Sequence, residues 1–126
     1  MEHSIFFDGN SKKIGWIIKN KNSQINQKRE HVEIYLNKIT NLQSKYIALH
    51  VGLFWGIGRY IIHDGDKINV KIDNRIMFDH LSNNEISSDE FINTRTGFIL
   101  QFIKQRKLNV NYQLINTEEN LAEKLI

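Results

Sequence analysis

The sequence contains neither cysteine nor proline. The lack of cysteine excludes disulfides, thiolate zinc sites and cysteine nucleophiles, and it agrees with a reducing compartment such as the cytoplasm or an organelle interior. The absence of proline, together with heavy use of Ile, Asn and Lys, indicates a compositional bias of the source genome and carries little information about function. No basic, apolar, small-residue leader opens the chain, so secretion is not expected.

Long uninterrupted apolar segments are also lacking. The best candidate, from Tyr46 to Ile62, is short, contains three glycines and is interrupted by His50 and Arg59, which favours a buried core helix over a membrane span. The formal charge of +3 and the pI near 9.2 are compatible with a polyanionic partner without requiring one. With 126 residues, 40% of them hydrophobic, the chain suits one compact domain over residues 1–126.

Alternating apolar residues predict an antiparallel meander at the start of the chain. The apolar run from His3 to Asp8 ends in a carboxylate and is typical of a buried strand, and "KIGWIIK" predicts a second one. The polar stretch from Asn20 to Gln24 marks a turn. After it, "HVEIYLNK" predicts a third strand, with one apolar face formed by Val32, Ile34 and Leu36.

The remainder of the chain alternates between helical and strand patterns. Helical spacing runs from about Leu42 to Arg59, and "KINVKID" predicts a fourth strand that ends at Asp73. "RIMFDHL" suits a short helix, and the capping box "SSDE", Ser87 to Glu90, opens a longer one. "NVNYQLI" predicts a fifth strand and "TEENLAEKLI" a last short helix capped by Thr117. The order βββαβααβα predicts an α/β fold with a mixed sheet, three antiparallel strands followed by two parallel ones, and helices on both faces.

Acidic residues stand at two strand ends and on the terminal helix. Asp8, Asp73 and Glu123 could converge to bind a divalent metal, because hard cations prefer oxygen ligands and phosphoryl chemistry uses them to stabilise attacking and leaving oxygens. The alternative is that strand-end acids only solvate the rim of the sheet or cap the next helix. The pattern alone does not separate these possibilities.

Four local motifs resemble, in order, those of the ribonuclease H family in its short form without a basic protrusion. "FFDGNS" resembles the family's first strand with its Asp-Gly, "VKIDNRIMFDHLS" its second strand-end aspartate, and "EENLAEKL" its closing signature. "TNLQSKYIALHVGL" resembles the family's Thr-Asn and Glu-Tyr-x-Ala-Leu-x-x-Gly-Leu helix, with matches at Thr40, Asn41, Tyr46, Ala48, Leu49, Gly52 and Leu53.

This resemblance covers nearly the whole chain and has definite implications. It implies a ribonuclease H-like fold, hydrolysis of the RNA strand of RNA–DNA hybrids, and Mg²⁺ or Mn²⁺ as cofactor. It also implies that Asp8, Asp73 and Glu123 are the catalytic residues and metal ligands, with Glu123 in place of the family's last aspartate.

The sequence departs from the family pattern at Lys45, where the family has a metal-binding glutamate. No acid occurs from Asn41 to His63, so a shift of helix register cannot restore this ligand. An ammonium close to a divalent ion costs on the order of several kcal/mol, and two-metal cleavage is therefore expected to be severely weakened. The glycine-rich loop is shortened to "NSKKIG", and the family's loop histidine has no counterpart in "LINTEEN". Alternatively, Lys45 binds the scissile phosphate while the three acids hold one metal.

Basic and polar residues are expected near the same strand ends. Arg75 would lie in the first turn of the helix that follows Asp73, where free backbone N–H groups favour anions. The equally simple alternative is that the basic side chains at the edge of the sheet are only solvated and bind no phosphate. The residues predicted to bind nucleic acid are Lys12, Lys13, Lys45, Lys71, Asn74 and Arg75.

The helix that starts near Tyr46 is apolar on two faces. One stripe, expected to face the sheet, contains Leu49, Leu53, Ile57 and Tyr60. The other, which we call the second apolar stripe, contains Ile47, Val51, Phe54 and Trp55. Either it docks on a protein partner or a second copy, or the long helix opened by "SSDE" covers it. The aromatic rings of Trp16 and Phe7 are expected in the core and not as base-stacking platforms.

Three hypotheses of function follow. The first is a ribonuclease H-like domain that binds an RNA–DNA hybrid or structured RNA with weak or lost cleavage, either alone or as a subunit of a nucleoprotein assembly. The second is an active metal-dependent endonuclease on hybrids. The third is a purely structural subunit that uses the second apolar stripe. None of them involves a membrane.

Overall fold

A five-stranded mixed sheet organises the chain. The computed structural model describes residues 1–126, and its strands are β1 (Glu2–Gly9), β2 (Lys13–Lys19), β3 (Gln24–Glu30), β4 (Lys67–Ile72) and β5 (Asn109–Leu114). Their order across the sheet is β3-β2-β1-β4-β5. The first three strands pair antiparallel, and β1, β4 and β5 pair parallel. The predicted mixed sheet is confirmed.

Three α-helices and two 3₁₀ helices connect and close the sheet. They are α1 (Asn41–Gly58), α2 (Arg75–Ser82), α3 (Glu90–Gln105), and the 3₁₀ helices Thr117–Glu119 and Glu123–Leu125. Side chains of Thr40, Asn74 and Asp89 accept hydrogen bonds from the first free backbone N–H groups of the three α-helices. The order of elements agrees with the prediction. None of these helices has the length and apolar character needed to cross a bilayer.

Helical elements contact both faces of the sheet. On one face α1 lies close to β1 and β2, and a Cβ on Gly52 would come within 3.1–3.2 Å of Trp16 and Ile5. On the other face the last 3₁₀ helix reaches Gly15 through Leu125. That second face also carries the buried Ile17 and the half-buried Phe6, and towards the start of β1 it carries polar residues such as Ser4, Lys19 and Asn69.

The core lies between the sheet and α1 and contains 19 buried residues. Trp16 and Phe7 are buried in it, as predicted, and so are Leu49 and Leu53 of the sheet-facing stripe. Tyr60 is not part of that stripe, since it is 81% exposed. The prediction was wrong there because α1 ends at Gly58 and Tyr60 takes a left-handed backbone conformation with φ of 61°.

The third strand is not where the alternation predicted it. Residues 31–38 form turns with Val32 and Ile34 exposed, and β3 is the polar segment Gln24–Glu30. The Asn20 side chain accepts hydrogen bonds from the backbone N–H groups of Asn22 and Ser23 and closes a tight hairpin. Pairing with β2 therefore resumes at Gln24, which lies opposite Lys19. The geometry of the hairpin, and not the alternation of apolar side chains, determines where β3 lies.

The C-terminal segment is not one helix with Thr117 as cap. Asn120 lies between two single 3₁₀ turns in an extended conformation, with φ of −80° and ψ of 104°. Its side chain accepts from Ala122 N and donates to the Phe7 carbonyl. One local and one tertiary hydrogen bond of the Asn120 side chain thus stand where the predicted helix would have continued.

Candidate functional site

The end of β1 approaches the start of α1 very closely. A Cβ on Gly9 would lie 2.7 Å from the carbonyl carbon of Ser44, so a larger residue could not occupy this position without moving α1. The glycine thus allows α1 to begin directly beside the strand end. One residue further along, the Lys45 ammonium reaches Asp8, with Nζ 2.5 Å from Oδ1.

The same ammonium contacts a second strand-end carboxylate. Lys45 Nζ donates to Oδ1 of Asp73 at 2.9 Å, directly after the end of β4. Asn120 Nδ2 donates to the other oxygen of Asp73 at 2.9 Å, and Gly9 N donates to Asp8 at 2.8 Å. We call Lys45 with Asp8 and Asp73 the lysine clamp.

The lysine clamp is nearly closed to solvent. The side chains are 14%, 9% and 4% exposed for Lys45, Asp8 and Asp73. Burial alone would lower the pKa of Lys45, but hydrogen bonds and charges from the two aspartates outweigh it and raise the pKa above the usual value. The three charged groups sum to one negative charge, so the clamp does not attract a further anion such as a phosphate.

A buried polar contact fixes the position of α1 beside the clamp. His31 Nε2 lies 2.8 Å from Ser44 Oγ and 3.0 Å from the Asn10 carbonyl oxygen. Burial, together with the charge of Arg95, lowers the pKa of His31 in spite of the bond to Asn10. A neutral ring therefore joins the β1–β2 turn to the first turns of α1.

Solved structures of ribonucleases H have the same architecture. No protein-family model matches the sequence, and no curated protein sequence matches it. The N-terminal ribonuclease H domain of a Mycobacterium tuberculosis protein superposes with a TM-score of 0.80 at 16% identity, covering 99% of this chain and 95% of that one. Ribonuclease H1 from Halobacterium salinarum gives 0.75 at 14%, covering 99% and 93%.

A third structure contains a ligand. It is a ribonuclease H1 isolated from compost by a metagenomic approach, in complex with an RNA/DNA hybrid, with a TM-score of 0.72 at 14% identity, covering 98% of this chain and 91% of that one. The chain has a ribonuclease H-like fold. At these identities the likeness establishes the fold, and the chemistry depends on the residues of this chain.

The residues at the end of the sheet that carries Asp8 and Asp73 do not fit a divalent metal. The Lys45 ammonium already lies between the two carboxylates that would bind the ion. No three His, Cys, Asp or Glu side chains come together as a possible metal site. Lys45 brings Asp8 and Asp73 together, whereas Glu123 is exposed and does not join them in such a cluster.

The predicted nucleic-acid-binding residues fall into two groups at this end of the ribonuclease H-like fold. Lys12 lies in the β1–β2 turn and Lys13 begins β2, and the backbone N–H groups of both donate to Asn10 Oδ1. Arg75 starts α2 with an exposed side chain, and Asn74 uses its Oδ1 as the helix cap. Lys71 lies near the end of β4 and donates to Gln113.

Lys45 stands apart from these residues. It was predicted to bind nucleic acid, but two of its three N–H donors are held by the clamp, and it is largely buried.

Sequence reasoning missed the supporting residues of the site. Asn120 belongs to the quoted "EENLAEKL" motif, and that motif was the only signal for its contact with Asp73. Ser44 and His31 carry no local signal, because their contact joins segments 13 residues apart through the fold.

The second apolar stripe is largely occupied within the chain. Ile47 is 4% exposed, and Val51 and Trp55 are partly buried. Phe102 of α3 packs on Phe54, with ring centroids 5.8 Å apart, although Phe54 remains 62% exposed. Of the two alternatives, burial within the chain holds for Ile47, and α3 packs against α1 on this side.

Proposed function

We propose that this ribonuclease H-like domain binds an RNA–DNA hybrid or structured RNA without metal-dependent cleavage. The observation that carries the proposal is the lysine clamp, in which an ammonium takes the position between two carboxylates that a divalent ion would need. Metal-dependent hydrolysis requires that ion to neutralise charge on the attacking and leaving oxygens. A divalent ion could take this position only by displacing an ammonium that is tethered to α1 and held by both carboxylates.

The binding part of the proposal rests on charge and on fold. Lys12 and Arg75, which are exposed, and Lys13, which is partly buried, lie at the end of the sheet that carries Asp8 and Asp73. A ribonuclease H1 of the same fold is described in complex with an RNA/DNA hybrid. Phosphates dominate the affinity of such interfaces. Four neutralised phosphates, if Lys71 contributes the fourth contact, predict a slope of log K against log salt of about −3 to −4.

The test measures binding and hydrolysis on the same substrate. A fluorescent RNA–DNA hybrid is titrated with the protein at about 50 mM and about 200 mM salt, in EDTA and in Mg²⁺ or Mn²⁺, and the RNA strand is then analysed on a denaturing gel. The expected result is salt-dependent binding that is the same with and without metal, and an intact RNA strand.

Two variants make the result decisive. The triple change of Lys12, Lys13 and Arg75 to Gln is expected to weaken binding and to reduce the salt slope by about 3, while the matched change of Lys104, Arg106 and Lys107 to Gln leaves both unchanged. Hydrolysis by the wild type that disappears in Asp8→Asn would overturn the proposal in favour of an active endonuclease. A lack of binding to hybrid and structured RNA would overturn it in favour of a structural role.

A further inference from the structure

The face of the sheet opposite α1 carries an open groove of about 720 Å³. Its floor is the outer face of β1 at Ser4 and Phe6. The neighbouring strands place Lys19 across from Ser4 and Lys71 beside Phe6 on the same face. The last 3₁₀ helix contacts β1 and β2 and reaches Gly15, but none of its residues lines the groove.

The walls of the groove are positively charged. Lys19, Lys21 and Lys71 line it, and none of the three forms an ion pair within the chain. The one acid among the lining residues is Glu2, which accepts a hydrogen bond from Asn69 at 2.6 Å and lies 3.8 Å from the ammonium of Lys67. Three ammonium groups without carboxylate partners therefore surround the floor.

The floor has the chemistry of a base-binding surface. The ring of Phe6 is half-buried, with its free side in the groove. Lys19 and Lys71 stand on the strands that flank β1, and adjacent strands are spaced about 4.8 Å apart. Cationic groups are thus placed on both sides of an aromatic ring, an arrangement typical of surfaces that stack a base and neutralise the adjoining phosphates.

We infer that this groove binds single-stranded nucleic acid, with a base against Phe6 and the backbone phosphates near Lys19, Lys21 and Lys71. An acidic peptide would match the charges but would leave the ring without a stacking partner. Of the residues proposed to contact a hybrid, which are Lys12, Lys13, Lys71 and Arg75, only Lys71 also lines the groove. The inference therefore does not depend on the proposed function.

The probe is a fluorescein-labelled oligo(dT), and the measurement is its anisotropy on titration with the full chain at low salt. Phe6→Leu keeps apolar volume in the strand but removes the aromatic face, and it is expected to weaken binding about tenfold. Lys19→Gln combined with Lys21→Gln is expected to weaken binding and flatten its salt dependence. The matched control, Lys104→Gln with Lys107→Gln, is expected to bind as the wild type does.

A second readout locates the ligand. On titration with oligo(dT), backbone amide NMR shifts are expected to change at Ser4, Phe6 and Asn69, and the same groove variants are expected to leave affinity for the RNA–DNA hybrid unchanged. Wild-type affinity in both groove variants overturns the inference, as does a shift pattern confined to the β1–β2 turn. Equal competition by poly-glutamate overturns the base contact and indicates an acidic polymer as ligand.

Discussion

At the scale of single residues, Lys45 supplies from within the chain the positive charge that two strand-end carboxylates need. Its ammonium is covalently tethered, so its effective concentration does not depend on the solution. The carboxylates consequently have a counterion at all metal concentrations. Removing or reversing the charge of Lys45 should therefore change metal binding and the free energy of unfolding more than any other substitution in the site.

Lys45→Glu should convert the clamp into a metal-binding site. Three carboxylates would then face one another, so the variant is expected to be less stable than the wild type in EDTA and to gain stability from Mg²⁺ or Mn²⁺, by about 2.7 kcal/mol at a metal concentration 100 times the dissociation constant. The measurement is Tm against metal concentration. Lys13→Glu is the control for added charge, and an equal metal-dependent rise in the wild type would contradict the prediction.

Lys45→Met should lower the free energy of unfolding by about 3 kcal/mol at neutral pH, because it leaves Asp8 and Asp73 buried without a cation. The pKa of Lys45 is raised in the folded state. Its contribution is therefore fully present below the ordinary lysine pKa and is lost as pH rises through the higher folded-state pKa. Urea unfolding of both proteins should give a difference that is constant near neutrality and narrows in strong alkali. A difference that persists undiminished there would contradict the assignment.

At the scale of elements, the position of α1 depends on the absence of a side chain at Gly9. Gly9→Ala should push the start of α1 away from β1 and lower the free energy of unfolding by about 1–3 kcal/mol. Gly97→Ala in α3 is the control, since a Cβ there meets nothing within 4 Å, and helix propensity predicts a gain of up to about 1 kcal/mol. Chemical denaturation measures both, and equal effects of the two changes would contradict the close-approach argument.

At the other end of β1, the buried Asp66 joins β1 to the segment before β4. It accepts hydrogen bonds from the His63 backbone N–H at 2.8 Å, from His3 Nε2 at 2.8 Å and from the Met1 amino group at 3.1 Å. Burial opposes ionisation, but these bonds lower the pKa of Asp66 to about 2. The carboxylate is thus a charged connection between two parallel strands.

Asp66→Asn should cost about 2 kcal/mol at neutral pH, as expected for a pKa depressed from 3.8 to about 2. Because the folded-state pKa is the lower one, this stability is present above about pH 4 and is lost as pH falls through about 2. Urea unfolding at several pH values should show the two proteins converging in acid. Asp64→Asn, whose side chain is 68% exposed, is the control. A loss that stays constant down to pH 2 would contradict the prediction.

At the scale of the whole molecule, the sequence predicts the strands that bury side chains and the order of elements. β1, β2 and β4 carry apolar residues that enter the core, so their patterns report their structure. β3 could not be found this way, because the hairpin register and not burial determines it. The two aspartates of the site were also predictable from their strand ends, and Lys45 from its position in the α1 motif.

The remainder of the site depends on tertiary contacts that leave no local pattern. Asn120 reaches Asp73 across 47 residues, and this contact replaces helix formation at the C-terminus. Nor does periodicity show which face of α1 remains exposed, since the packing of α3 decides that.

The polar composition of β3 can be tested as a property of the whole molecule. Lys28→Val with Glu30→Val keeps the register with β2 and raises strand propensity. Such an apolar edge is expected to pair with other chains, so the double variant should elute at larger size at high concentration than the wild type. Lys104→Val with Lys107→Val, which lie outside the sheet, serves as the control. Unchanged elution of the β3 variant would contradict the expectation.

The composition of β3 also bears on whether the protein associates with other chains in a concentrated solution. β3 leaves one row of backbone N–H and C=O groups unpaired along the border of the sheet, a template on which a foreign strand could grow. Lys28, Arg29 and Glu30 keep that border hydrated and charged. The polar composition that keeps β3 from being predicted by apolar alternation is thus also expected to disfavour fibrous self-assembly.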